Sequence, residues 1–161
     1  MPHFHVRVST DDLVFSAAHF ITLEGSTCEP LHGHNYHVAA EVHGPLGPDG
    51  VVIDFVLLRE TLREIVGELD QRVLLPSDNP LVRLTTGPGE IEVVCGRRRW
   101  SFPRQDCLVL PMANTTAELL AAYLGRRLLD ELESGCRVRP AMVRVRVEER
   151  RGISAECELG R

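Results

Sequence analysis

The chain has 161 residues, 43% of them hydrophobic and 25% charged, a balance that suits one soluble domain with a proper core. Its formal net charge of −5 offers no overall attraction to nucleic acid or to an acidic membrane surface. No apolar run approaches the roughly 20 residues that cross a bilayer, and five cysteines without a Cys-x-x-Cys pair suit free thiols in a reducing cytoplasm.

The first residues, Met1 to His5, carry no signal-peptide pattern, and a cytoplasmic location is the expectation. Phe4, Val6 and Val8 alternate with polar residues as a half-buried strand does. His3 and His5 share a face of it, but nothing nearby completes a site, so they read as an exposed pair. Thr10-Asp11-Asp12 interrupts the strand before an apolar run resumes from Leu13 to Phe20. The stretch that follows, Cys28-Glu29-Pro30-Leu31-His32-Gly33-His34-Asn35-Tyr36, is the chemical centre of the chain. In an extended segment His32 and His34 point to one side, and His19, at the end of Phe15-Ser16-Ala17-Ala18-His19, can supply a third imidazole from a neighbouring strand. Three neutral imidazoles with an open fourth position are a standard catalytic zinc arrangement. Gly33 permits close backbone approach, and Cys28 lies near enough to serve as an ionisable thiol. The alternative is an exposed His-Gly-His turn.

Alternation continues through Tyr36, Val38, Ala40 and Val42, leaving His37 on the opposite face and His43 as a polar strand end. The turn-rich segment Gly44 to Gly50 is expected to join this strand to a short antiparallel one, Val51-Val52-Ile53. Asp54 then reads as the cap of a helix over residues 55–69, with Leu58, Leu62, Ile65, Val66 and Leu69 in one stripe. Asp70 and Gln71 follow. Glu90 to Cys95, Gly96-Arg97 and Arg98 to Phe102 read as a β-hairpin within about residues 86–104, as a packing surface for another subunit, a lid, or an inert surface element. Arg97-Arg98-Arg99 gives it a basic group suited to phosphate oxygens. Thr115-x-x-Glu118 fits a capping box opening a second helix, whose stripe is Ala117, Leu120, Ala121, Leu124, Leu128 and Leu132. Gly135 and Pro140 close that helix. Val143, Val145, Val147 and Glu149 then share one strand face, which sets a carboxylate at the end of an apolar row.

Phe15-Ser16-Ala17-Ala18-His19 and Cys28-x-x-x-His32-Gly33-His34-Asn35-Tyr36 together resemble the 6-pyruvoyl-tetrahydropterin synthase / 6-carboxy-tetrahydropterin synthase family. The resemblance implies Zn2+ on His19, His32 and His34, and Cys28 as the proton acceptor; the short gap from Cys28 to His32 is closer to the bacterial 6-carboxy branch. Asp54-Phe55 matches a structural pair of the family. The family has Asp-His where this chain has Asp70-Gln71, so Asp70 is implied as catalytic while glutamine, which cannot titrate, replaces the relay histidine. Thr116 and Glu118 match a helix start beside the pterin pocket, in addition to any capping role. Glu149 to Ala155 resembles the ending whose glutamate binds the guanidine-like edge of the pterin, with Arg150 in place of a threonine.

The whole chain, 1–161, is thus expected to be one α+β domain of the tunnelling fold. It would have a four-stranded antiparallel sheet, two helices on one face and the inserted hairpin. The family further implies a homo-oligomer, a hexamer, with sites between subunits, so that the histidines face a Glu149 from another chain. The expected activity is that of a zinc-dependent, carbon–oxygen lyase-like enzyme acting on 7,8-dihydroneopterin triphosphate, with an entry to deazapurine (queuosine) synthesis as one outcome. The alternatives are a pterin-binding paralogue without synthase activity and a dihydroneopterin aldolase-like enzyme that cleaves the side chain.

Overall fold

A computed structural model describes residues 1–160. Strand β1 (Phe4–Val8) leads through the turn at Asp11-Asp12 into β2 (Val14–His19). Two short strands, β3 (Thr22–Leu23) and β4 (Thr27–Cys28), form a small ribbon before the long strand β5 (His32–Gly44). Helix α1 (Phe55–Gly67) precedes β6 (Arg72–Pro76). Strands β7 (Val82–Thr86), β8 (Glu90–Cys95) and β9 (Arg98–Pro103) then make a separate antiparallel sheet. Strand β10 (Cys107–Leu110), helix α2 (Ala117–Asp130), β11 (Met142–Arg150) and β12 (Ile153–Gly160) complete the fold.

The antiparallel core β2-β5-β11-β12 carries both helices on one face, as expected, and the architecture is α+β. The sheet is larger than its four-stranded core. β1 continues the line of β2 along β5, and β6 and β10 add to the β2 side in parallel, making seven strands. β5 binds the sheet together because its 13 residues pair with β1 and β2 along one edge and β11 along the other.

Both helices follow their apolar stripes. Leu58, Leu62, Ile65 and Val66 of α1, and Leu120, Ala121, Leu124 and Leu128 of α2, are buried against Phe15, Tyr36, Val38, Val143, Val145 and Val147 of the sheet. Each fully buried leucine contributes roughly 1.5–3 kcal/mol by leaving water. Gly125 brings α2 close to β12, since a Cβ there would meet Leu159 Cδ1 at 2.9 Å. Asp54 caps α1 as expected, its Oδ1 accepting from Leu57 N at 2.9 Å.

Two expectations fail. Residues 51–53 form a bend and not a strand, because the loop closes on itself: Gly47 N donates to Val51 O at 2.8 Å, taking the group a ladder would need. The turn-rich segment 44–50 therefore leads from β5 into α1. The box expected from Thr115 to Glu118 is also absent, since the cap of α2 is Thr116, whose Oγ1 accepts from Leu119 N. Thr115 is fully buried one residue earlier, with its hydroxyl donating to Phe20 O at 3.3 Å.

The hairpin expected over 86–104 forms as β8 and β9, turning at Gly96 with φ +60, and β7 joins it as a third strand. Its apolar side makes a second, smaller core of Phe20, Leu75, Val82, Ile91, Val93 and Cys95, against which Cys28, Leu31 and Trp100 pack. Phe20 and Trp100 stack at 4.6 Å. This sheet therefore backs the segment that carries Cys28.

The division between cap and core sets a measurable contrast. Asp54→Ala should cost about 1 kcal/mol and Leu124→Ala about 2–5 kcal/mol, read as shifts in urea midpoint at unchanged slope.

Candidate metal centre

The register of β2 against β5 sets Ala17 opposite His34 and His19 opposite His32. Side chains directly opposite on one face lie about 4.5–5.5 Å apart, so the pairing gathers three imidazoles. Ring centroids are 4.7 Å apart for His19–His32, 5.3 Å for His19–His34 and 4.8 Å for His32–His34. One ring nitrogen from each lies within 4.8 Å of the others. Gly33 keeps the strands close, as a Cβ there would stand 3.3 Å from Ala17 O. His37 points to the other face and is exposed, while His5 stacks on His43 at 4.7 Å, away from the cluster.

The hydrogen bonds determine which nitrogen of two of the rings is free. His19 Nδ1 lies 2.9 Å from Thr115 O, and His32 Nδ1 lies 2.9 Å from Pro30 O. A carbonyl can only accept, so each Nδ1 carries the proton and each Nε2 keeps its lone pair. His34 Nε2 is buried and makes no hydrogen bond, though it sits 3.2 Å from Glu149 Oε1. Burial pushes His19 down to about 4, against the opposing pull of the Thr115 carbonyl, and burial also lowers His34. Two rings with fixed tautomers and a third with an orphaned buried nitrogen are what a metal ion requires of its ligands. The residues present fit such an ion.

Glu149 of the same chain stands beside this cluster. Its Oε1 is 3.2 Å from His34 Nε2 and 3.7 Å from His19 Nε2. The register of β11 and β12 slips between Glu148 and Arg150, and such a bulge re-aims a side chain. Tyr36 closes the floor of the site, with Oη 3.3 Å from His19 Nε2; burial first, and Glu149 second, push its hydroxyl up.

Cys28 and Asp70 are not joined by a hydrogen bond or ion pair among the described residues. The thiol of Cys28 is pushed up to about 12, first by burial and then by Cys95, whereas Arg98 works in the opposite sense. Asp70 Oδ1 accepts from Ser16 N at 2.8 Å, and Gln71 N, at φ +57, donates to Ser16 O at 2.6 Å. These two residues thus clip the start of β6 onto β2. Gln71 lines an open groove with Ser16, His34, Asn35 and Asp106. Thr116 stands next to Thr115, the brace of His19, while Glu118 is exposed in the first turn of α2. Thr115, Tyr36 and Pro30 escape a search for ligand-type residues. Only Tyr36 has a visible signal, its shared parity with His32 and His34.

The family profile described as 6-pyruvoyl tetrahydropterin synthase matches residues 9–159. A protein of Methanocaldococcus jannaschii with the provisional name 6-carboxy-5,6,7,8-tetrahydropterin synthase is 32% identical over 123 residues, covering 76% of this chain and 75% of that protein. The dihydroneopterin monophosphate aldolase of Pyrococcus furiosus is 39% identical over 67 residues, 41% of this chain and 56% of its own. Among solved structures, the 6-pyruvoyl tetrahydropterin synthase of Plasmodium falciparum superposes with a TM-score of 0.91 at 28% identity, covering 98% of both chains.

Two measurements test the centre. Titration with zinc against a metallochromic competitor should show one ion per chain, weakened at least about 100-fold by His32→Ala or His34→Ala and unaffected by His37→Ala. In chelator-treated protein the unfolded chain protonates position 19 near pH 6.5, while the folded chain resists until about 4. Stability should therefore be full above pH 6.5 and fall by roughly 3 kcal/mol as the pH drops to 4, as read by urea unfolding.

Proposed function

The chain belongs to the 6-pyruvoyl tetrahydropterin synthase family, and from that premise we propose that it is a zinc-dependent enzyme acting on 7,8-dihydroneopterin triphosphate by proton abstraction and elimination. The observation that carries this reading is the set of three imidazoles whose ring nitrogens lie together beside Glu149. A bound zinc ion would polarise side-chain hydroxyl oxygens of the substrate and acidify the adjoining carbon.

The residues of the chain divide the remaining work. His19, His32 and His34 hold the metal, with Thr115 and Pro30 fixing the tautomers of the first two rings. Cys28 takes and returns the proton at its Sγ. A thiol raised by burial needs positive charge nearby before it can do so. Glu149 accepts hydrogen bonds from the amine and ring N–H of the pterin, a charge-assisted contact. Thr116 and Glu118, at the start of α2, border the ligand. Asp70 assists by holding Ser16 and the strand that ends in His19. Elimination of triphosphate with proton shifts along the side chain leads to a pyruvoyl product; addition of water to that side chain and cleavage with release of a two-carbon aldehyde leads to a carboxy product, a precursor of deazapurines.

The copies of the chain assemble as a homo-oligomer, taken as a hexamer. Support comes from the open outer edges of β10 and β12 and from Phe55 and Val56, which are 69% and 65% exposed on α1. No helix of the described residues is long and apolar enough to cross a membrane, in line with a cytoplasmic location.

A second reading is a retro-aldol cleavage of the side chain. It is favoured by Gln71, which cannot shuttle a proton, and by the similarity to the Pyrococcus furiosus aldolase. Cleavage of that kind needs one base: the proton leaves the second side-chain hydroxyl, the bond between the first two side-chain carbons breaks, and the first carbon is reprotonated, giving a hydroxymethyl pterin and a two-carbon aldehyde that carries the phosphates.

Mass-spectrometric product analysis of zinc-loaded protein with dihydroneopterin triphosphate should show a carboxy or pyruvoyl pterin. A hydroxymethyl pterin with a phosphorylated two-carbon aldehyde and no free triphosphate would establish the second reading, and tight binding without turnover would leave a pterin-binding paralogue. Cys28→Ala should lower turnover by about 10²–10⁴-fold, and Gln71→His should raise synthase turnover.

A further inference from the structure

The sheet formed by β7, β8 and β9 makes a specific contact with the segment that leads into the metal centre. Its second core holds Cys28 and Leu31 from one side and Cys95 from the other. The turn at Gly96 sets Cys95 directly opposite Arg98 in the β8–β9 ladder. Cross-strand partners point to the same face, so this turn presents a thiol and a guanidinium together. Cys95 is 2% exposed and packs beneath Cys28. Arg98 reaches further, its Nε donating to Cys28 O at 3.1 Å. No salt bridge takes up its charge among the described residues.

We infer that Arg98 is a positioning residue for Cys28: from the hairpin it grips the Cys28 carbonyl and sets a permanent positive charge beside the thiol. Three groups bear on that thiol. Cys95 of β8 and Glu29 next in the chain both oppose its ionisation, and Arg98 of β9 alone favours it. An arginine suits this role because it never loses its proton and its fork holds the backbone in one geometry. The hairpin that carries it is anchored by the stack of Trp100 on Phe20, the residue after His19. The same element therefore braces both the strand carrying His19 and the loop carrying Cys28. The catalytic meaning of this contact rests on the role proposed for Cys28, but the contact itself is testable without turnover.

The test is the rate of iodoacetamide alkylation at Cys28 in chelator-treated, folded protein between pH 7 and 10, read by peptide mass spectrometry. Only the thiolate reacts, so below its titration the rate follows the thiolate fraction. Arg98→Gln should slow alkylation by about 3- to 10-fold at every pH in this range, as expected for loss of one partly exposed charge. Arg98→Lys keeps the charge and should recover most of the rate, and it serves as the reporter if the glutamine variant does not fold. Arg97→Gln, an exposed neighbour of the same charge, should leave the rate unchanged. Coincident rates for wild type and Arg98→Gln would overturn the inference, as would an equal slowing in Arg97→Gln. Neither result depends on whether the protein turns over a pterin.

Discussion

The pairing of β2 with β5 is the constraint on which the rest of this molecule depends. With Ala17 set against His34 and His19 against His32, the three imidazoles converge and Phe15 stacks on Tyr36 at 4.5 Å in the core beneath them. Side chains of a strand alternate strictly, so a slip of one residue would send His32 and His34 to the opposite face and turn Tyr36 and Val38 out of the core. Site and core are thus two readings of one register. The same register is guarded at its other edge, where Asp70 and Gln71 bind both backbone groups of Ser16 and attach β6.

Burial does the electrostatic work at this centre. His19 is held neutral by its position under α2, and Thr115, the residue that braces it, sits at the very start of that helix. The arrangement couples the helical layer to the ligand set through a single carbonyl. It also explains why the cap of α2 falls on Thr116. A threonine that must face inward to support an imidazole cannot also face the helix end.

The features legible in the sequence were those set by short periodicities. The stripes of α1 and α2, the shared parity of His32, His34 and Tyr36, and the apolar row ending in Glu149 all follow from spacing alone. Family resemblance supplied the chemical meaning of Cys28, Asp70 and Glu149. What spacing could not show was partnership over distance. Parallel addition of β6 and β10 depends on crossovers that leave no local pattern. The bulge that turns Glu149 toward His34 depends on a slipped register with β12. Val51 to Ile53 have the composition of a strand, but Ile53 is buried by a bend while Val51 remains exposed, since the loop captured the backbone first. The brace at Thr115 is a tertiary contact across 96 positions of chain, and no window on the sequence contains both ends.

The existence of two apolar cores has a dynamic consequence. The larger one lies between the helices and the long sheet, and the smaller one lies under β7, β8 and β9. Regions with a core of their own open as cooperative units at a lower free energy than the whole chain. Such an opening would free Cys95 and Arg98 from Cys28, and Trp100 from Phe20, while β2 and β5 stay zipped. The three clustered histidines would then exchange their amide hydrogens only with global unfolding, and the segment bearing the thiol would exchange much sooner. Opening of the histidine cluster and accessibility of the thiol would accordingly follow separate clocks.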